Sequence, residues 1–249
     1  MKQTTQQFPT EEVTLPSKGL LYLKDSPLSK GVIEMKYMTA REEDILTNQN
    51  LIENGTVIDK LLESLIITPI NYNELLVGDK NAILVAARIL GYGKDYTFNH
   101  LDGEKTIDLT EVKDKEIDES LIKGGKNEFN FTLPTSKTNI TFKILTHGDE
   151  QAIDRELKGL KRLNKNISYD LSTRMKYVIT SVEGDYETKT IRDFVDNKLL
   201  ARDSRELRNY VKEIQPDINL TFEYEGKNGD LKTTSIPIGL QFFWPDAEL

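Results

Sequence analysis

Apolar and polar positions along this chain change their period several times, and the changes mark its elements. Ile33, Met35 and Tyr37 alternate with polar neighbours, the two-residue period of a half-buried strand, and Ile140, Phe142 and Ile144 repeat the pattern. Thr39 and Glu42 have capping-box spacing, which predicts a helix from Ala40. Thr146 and Asp149 stand at the same place further on, with a weaker start expected because a capping box wants Glu or Gln and Gly148 disfavours helix. Val57, Leu61, Leu62 and Ile66 keep helical spacing up to Pro69, and Lys80 to Leu90 reads as an apolar-faced helix ended by Gly91 and Gly93. Two hairpins complete the pattern. Tyr96 to Asn99 pairs with Thr106 to Leu109 around Asp102-Gly103, and Asn219 to Glu225 pairs with Leu231 to Ile238 around Asn228-Gly229, dipeptides that tolerate positive φ in tight turns.

These elements occur twice in the same order. Val13-Thr14-Leu15-Pro16-Ser17-Lys18 returns as Phe131-Thr132-Leu133-Pro134-Thr135-Ser136-Lys137, and the strands that follow align without gaps at an offset of 107. Leu75-Leu76-Val77-Gly78-Asp79 matches Leu199-Leu200-Ala201-Arg202-Asp203 at an offset of 124, which also carries Thr97-Phe98 onto Thr221-Phe222. The predicted fold is therefore α+β, with two similar halves, each a β-hairpin, then helices, then a second hairpin. Gly124-Gly125 follows an acidic stretch and sets the expected boundary: residues 1–124 as a first half with its acidic linker, and residues 125–249 as a second half ending in Phe-Phe-Trp-Pro.

Composition narrows the chemistry. Lys and Arg number 33 against 41 Asp and Glu, a net charge of −8, so no overall basic field favours a nucleic-acid partner. With no cysteine, disulfides, thiolate metal sites and cysteine nucleophiles are excluded. The polar start of the chain and its short apolar runs predict neither a secretion signal nor a membrane span. His100 and His147 have no second histidine at ligand spacing, so the expectation is a turn residue and a loop residue beside a helix start, with no metal and no cofactor. Phosphate-binding and nucleophile-elbow motifs do not occur, and no enzymatic activity is expected. The carboxylates of Asp114, Glu116, Asp118 and Glu119 lack the glycine and glutamate of a calcium loop and read as a solvated linker.

Charge is unevenly placed. Residues 1–124 hold 14 Lys and Arg against 21 Asp and Glu, net −7, whereas residues 125–249 hold 19 against 20, net −1. Arg155, Lys158, Arg162 and Lys165 recur at three and four residues on one face of a helix whose other side offers Ile153, Leu157, Leu160 and Leu163. A solvated face and a docking surface both account for that pattern. Phe242, Phe243 and Trp244 put three rings in a row; in a strand, neighbours point to opposite faces, so at least one ring would face another element or another subunit, with a shared core as the other option. These seven residues are the candidate interaction residues.

Several segments resemble the baseplate hub subunit family of T4-like contractile-tailed bacteriophages. They are Leu15-Pro16-Ser17-Lys18-Gly19-Leu20-Leu21-Tyr22, Tyr37-Met38-Thr39-Ala40-Arg41-Glu42-Glu43-Asp44-Ile45-Leu46-Thr47, Ile58-Asp59-Lys60-Leu61-Leu62, Gly78-Asp79-Lys80-Asn81-Ala82-Ile83-Leu84, and Ile236-Pro237-Ile238-Gly239-Leu240-Gln241-Phe242-Phe243-Trp244-Pro245. The resemblance implies a structural or assembly role in the tail baseplate hub, in the virion or in the host cytoplasm during assembly. It also implies other hub proteins as partners, with self-association a further option. It implies, too, cysteine pairs forming zinc ribbons in the terminal hairpins of many relatives; this sequence has no cysteine there, so no metal is carried over. The alternative from a different class is an acidic binding protein directed at a host partner, for which the negative surface argues.

Overall fold

The computed structural model describes residues 9–100, 103–122, 125–163, 168–225 and 229–243. It is α+β. The first half runs β1 (Thr10–Thr14), β2 (Val32–Lys36), α1 (Ala40–Leu46), α2 (Gln49–Asn54), α3 (Val57–Leu65), α4 (Val77–Tyr92), β3 (Asp95–His100) and β4 (Gly103–Asp108). The second runs β5 (Phe129–Thr132), β6 (Asn139–Phe142), α5 (His147–Leu163), α6 (Asp170–Val178), β7 (Ile179–Val182), α7 (Thr188–Asn197), α8 (Ala201–Ile214), β8 (Thr221–Glu225) and β9 (Leu231–Ser235). The sheets are small and antiparallel: β1-β2, β3-β4, β5-β6-β7 and β8-β9.

The repeated sequence makes repeated local structure. In each half the Leu-Pro turn places a lysine in the left-handed region, Lys18 at φ 50° and Lys137 at φ 61°. Gly19 is required beside the first of these, because a Cβ there would lie 2.4 Å from the Ser29 carbonyl oxygen. The cap of α1 forms as the spacing predicts. Thr39 donates from N–H and hydroxyl to Glu42, whose other oxygen takes Lys36 Nζ at 2.8 Å and the Ser64 hydroxyl at 2.9 Å. Covering the Glu42 carboxylate pushes its pKa up, but the hydrogen bonds from Lys36, Thr39 and Ser64 outweigh this and hold it at about 2.

At the offset of 107 the same device recurs: Thr146 N–H donates to Asp149 at 3.0 Å, and Lys143 Nζ pairs with that carboxylate at 2.7 Å. Asp149 thus does the work expected of Glu. Gly148, which looked like a weakness in the helix, answers a different need: a Cβ there would come within 3.0 Å of the Asn73 carbonyl oxygen of the first half.

Each half also returns a segment to its first hairpin after a helix. Met35 bridges Ile66 beyond α3, and Phe142 pairs with Ile179 at the start of β7 beyond α6. The third strand was not predicted from sequence, since Ile179 to Val182 is too short to show a period. One continuous apolar core joins the halves, containing Leu15, Ile33, Met35 and Leu61 from the first and Leu133, Ile140, Phe142 and Leu207 from the second. The terminal hairpins pack on each other, with the Phe98 and Phe222 rings 5.4 Å apart and perpendicular.

Three expectations change. The acidic segment is a strap bound to the second half: Asp114 bridges Ile218, Lys115 N–H donates to the Asp217 carbonyl at 2.8 Å, and Asn219 N–H donates to the Lys113 carbonyl at 2.8 Å. Lys115 Nζ completes the attachment by donating to the Lys212, Glu213 and Gln215 carbonyls, which the last turn of α8 leaves unpaired. Residues 240–243 form a 3-10 turn, so the strand argument for the aromatic run does not apply: Phe242 and Phe243 are both fully buried, and Tyr96 packs edge-on to Phe242 at 4.8 Å. His147, expected in a loop, is the first residue of α5 and is buried. Asp102, Gly124, Lys165, Asn228 and Trp244 lie outside the described residues.

Candidate interaction site

Two inward-facing devices hold the halves rigid. The first is a pair of clasps. Asp79 in the first turn of α4 accepts from Ser17 N–H at 2.9 Å, from the Ser17 hydroxyl at 2.6 Å and from the Tyr22 hydroxyl at 2.6 Å, tying the Leu-Pro-Ser-Lys turn to the helix. Tyr22 in turn accepts the Leu76 N–H at 3.0 Å, satisfying a backbone group at the start of α4. In the second half Asp203 in the first turn of α8 accepts the N–H groups of Thr135 at 2.7 Å and Ser136 at 2.9 Å.

The second device is the seam. Val77 N–H donates to the Leu145 carbonyl at 3.2 Å, and His147 N–H donates to the Leu75 carbonyl at 2.7 Å, forming a short antiparallel bridge. Beside it Lys80 Nζ donates to Asp59 and lies 3.2 Å from His147 Nδ1, and Tyr72 donates to Asp59 at 3.2 Å. Burial lowers the pKa of His147, and Lys80 lowers it further against the opposing pull of Asp59, Glu63 and Glu150, so the fold favours the neutral ring. Gly78 lets α4 meet the second half, since a Cβ would stand 1.9 Å from the Pro216 carbonyl oxygen.

The outward-facing feature is α5. Three of its acids are engaged by the fold: Asp149 takes Lys143 at 2.7 Å, Glu150 takes Arg174 of α6 at 2.6 Å, and Glu156 takes both terminal nitrogens of Arg192 of α7 at 2.7 Å, while Asp154 is exposed. The Arg192 pair and the Tyr177 hydroxyl hold the Glu156 pKa below its ordinary value against burial. Because the helix is fixed by one side, the other side is left to solvent. Arg155, Lys158, Lys161 and Arg162 are exposed, and none is in an ion pair among the described residues. Leu157 and Leu160 are half-buried, whereas Leu163 is 85% exposed and Leu171, where α6 begins at the same end of the helical pair, is 46% exposed.

Of the candidates read from sequence, then, the structure groups Arg155, Lys158 and Arg162 on one exposed face and moves Phe242 and Phe243 into the core. The clasps and the seam cluster were missed. A signal for the clasps was present, because Asp79 and Asp203 are the charged residue shared by the two Leu-Leu segments, and each half supplies a Ser or Thr turn to meet it.

Among the described residues no group of three or more His, Asp or Glu could hold a metal ion, and no helix is long and apolar enough to cross a membrane. Comparison of the chain with known protein families, with characterised proteins and with solved structures finds no match.

Proposed function

We propose that this chain is a structural or assembly component of a phage tail baseplate hub, working through protein–protein contact. The observation that carries the reading is α5, a helix clamped to the fold by Glu150 and Glu156, presenting four cations that make no ion pair among the described residues, with Leu163 uncovered at its end and Leu171 uncovered at the start of α6. Apolar area ringed by charge is the composition of a docking surface. The resemblance supports the same reading, and its segments fall on residues that build the fold: Pro-Ser-Lys-Gly is the clasped turn, Thr-Ala-Arg-Glu-Glu-Asp starts α1, and Phe242 and Phe243 close the core. Other hub proteins are the partners this role requires, with action in the virion or in the host cytoplasm during assembly.

The excess of seven negative charges on residues 1–124 favours the second reading, an acidic protein occupying a basic host partner. Affinity isolation of the chain late in infection separates the two. Recovery with tail-assembly intermediates is the result expected, and recovery with a host protein in place of tail components would replace the first reading by the second.

A further inference from the structure

We propose that the outward face of α5 docks the acidic strap of a second copy of this chain, so that the protein self-associates head to tail in a salt-sensitive way. The inference builds on the assembly reading but concerns a different contact. It starts from an electrostatic mismatch within one molecule. Arg155, Lys158, Lys161 and Arg162 face solvent beside the exposed Asp154 and make no ion pair among the described residues. The strap carries Glu111 and Glu116, and Glu104 stands on β4 of the hairpin that leads into it; all three are likewise exposed and in no ion pair among the described residues, while Asp108 and Glu119 are already taken by Lys94 and Lys18.

No ion pair or hydrogen bond joins these two sets among the described residues. The strap is bound to α8 and to residues 217–219, and α5 is bound to α6 and α7, so neither can travel to the other. Complementary surfaces that a fold holds apart can meet only between molecules, and contact between two different patches on identical chains is heterologous. Each surface also offers apolar area: Leu163 at the end of α5 and Leu171 at the start of α6 on one, and Leu121, 38% exposed, on the strap. The occupant is a protein surface because the net charge of −8 repels both nucleic acid and anionic lipid from the molecule as a whole. A copy of the same chain presents the required acidic face.

Sedimentation velocity on the purified chain tests this at low and high salt. The wild type is expected to associate with rising concentration at low salt and to be monomeric at high salt, where screening removes the attraction. Arg155→Glu/Lys158→Glu/Arg162→Glu is expected to weaken association about tenfold or more, as is Glu104→Lys/Glu111→Lys/Glu116→Lys, and mixing the two variants is expected to restore it. The mixture keeps the test sharp if one variant loses some stability, and Lys158→Gln/Arg162→Gln, expected to weaken association in the same direction, replaces the first variant if it fails to fold. A wild type that stays monomeric at low salt overturns the proposal, as does a reversed variant that associates like wild type or a mixture that does not recover. A monomeric chain that still enters tail-assembly intermediates overturns this contact alone and leaves the assembly reading standing.

Discussion

Asp79 and Asp203 occupy the same place in the two halves, grip the same turn and titrate in opposite directions. Burial raises the pKa of Asp79, and the hydrogen bonds from Ser17 and Tyr22 offset only part of that. Covering also raises Asp203, but there the hydrogen bonds from Ser136 and Thr135 outweigh it and the net shift is downward. Both carboxylates are closed off from water by their own turn. The difference lies in what surrounds them: the Asp114 carboxylate of the strap adds to the upward push on Asp79, and among the described residues no such charge acts on Asp203. Asp79 sits at the start of α4, where Gly78 brings the second half into backbone contact, whereas the residue before Asp203 is Arg202, which is exposed. One motif, used twice, has become an interior group in one copy and a surface-side group in the other, because only one of the two helix starts faces the partner half.

The strongest way to break this comparison is Gly78→Ala. A Cβ at 1.9 Å from a backbone oxygen cannot be accommodated without moving α4 away from residues 216–217, and a loss of about 3 kcal/mol is expected in chemical denaturation. Arg202→Ala, at the equivalent position, is expected to change stability by less than about 0.5 kcal/mol. Similar losses at the two positions would mean that the seam does not distinguish the halves.

The clasps themselves come next. Asp203 accepts two backbone N–H groups, which cannot turn round, with the Ser136 and Thr135 hydroxyls adding to its stabilisation, so the amide nitrogen of Asp203→Asn must face one of the N–H groups; a loss of about 2 kcal/mol is expected. At Asp79→Asn the Ser17 N–H keeps its acceptor, and removal of the buried charge offsets the acceptor that the Ser17 and Tyr22 hydroxyls lose, since their oxygens already accept from Gly19 N–H and Leu76 N–H. Asp79→Asn is therefore expected to stay within about 1 kcal/mol of wild type. The pH dependence sharpens the contrast. A lowered pKa contributes stability above the ordinary carboxylate range that disappears as pH falls, so the cost of Asp203→Asn should shrink in acid. A raised pKa contributes stability at low pH that disappears as pH rises through it, so the cost of Asp79→Asn should be greatest in acid.

A smaller effect is expected at His147. Its lowered pKa means that the unfolded chain takes up a proton first as pH falls below about 6.5, so stability should decline from there and level off below the folded-state pKa. His147→Gln should flatten that part of a melting-temperature profile. An unchanged slope would show that the ring is not held neutral against Lys80. The smallest effect is predicted for Arg155, Lys158 and Arg162, whose reversal should leave the melting temperature nearly unchanged because exposed charges without partners contribute about 0 to 1 kcal/mol.

The elements with a sustained period were legible from sequence: α3 and α4, the β3-β4 hairpin, and the start of α1, where Thr39 and Glu42 act within one turn. What escaped depends on contacts far apart in the chain. Asp79 finds Ser17 across 62 positions, and Lys80 meets His147 across 67, distances over which local pattern carries no information. Sequence left Phe242 and Phe243 between an outward face and a shared core for the same reason, since a strand and a 3-10 turn of four residues share one sequence and the surrounding core decides between them. The basic face of α5 was legible because helical period alone groups Arg155, Lys158 and Arg162; that its acids would be spent on Arg174 and Arg192 was not.

The central claim, that this fold serves tail assembly, is tested most directly by removing it. A phage carrying an early stop codon in the coding sequence should produce filled heads and few or no tails with complete baseplates in electron micrographs of infected-cell lysates, and the wild-type chain supplied from a plasmid should restore them. Normal baseplates and normal infectivity without the chain would contradict the account.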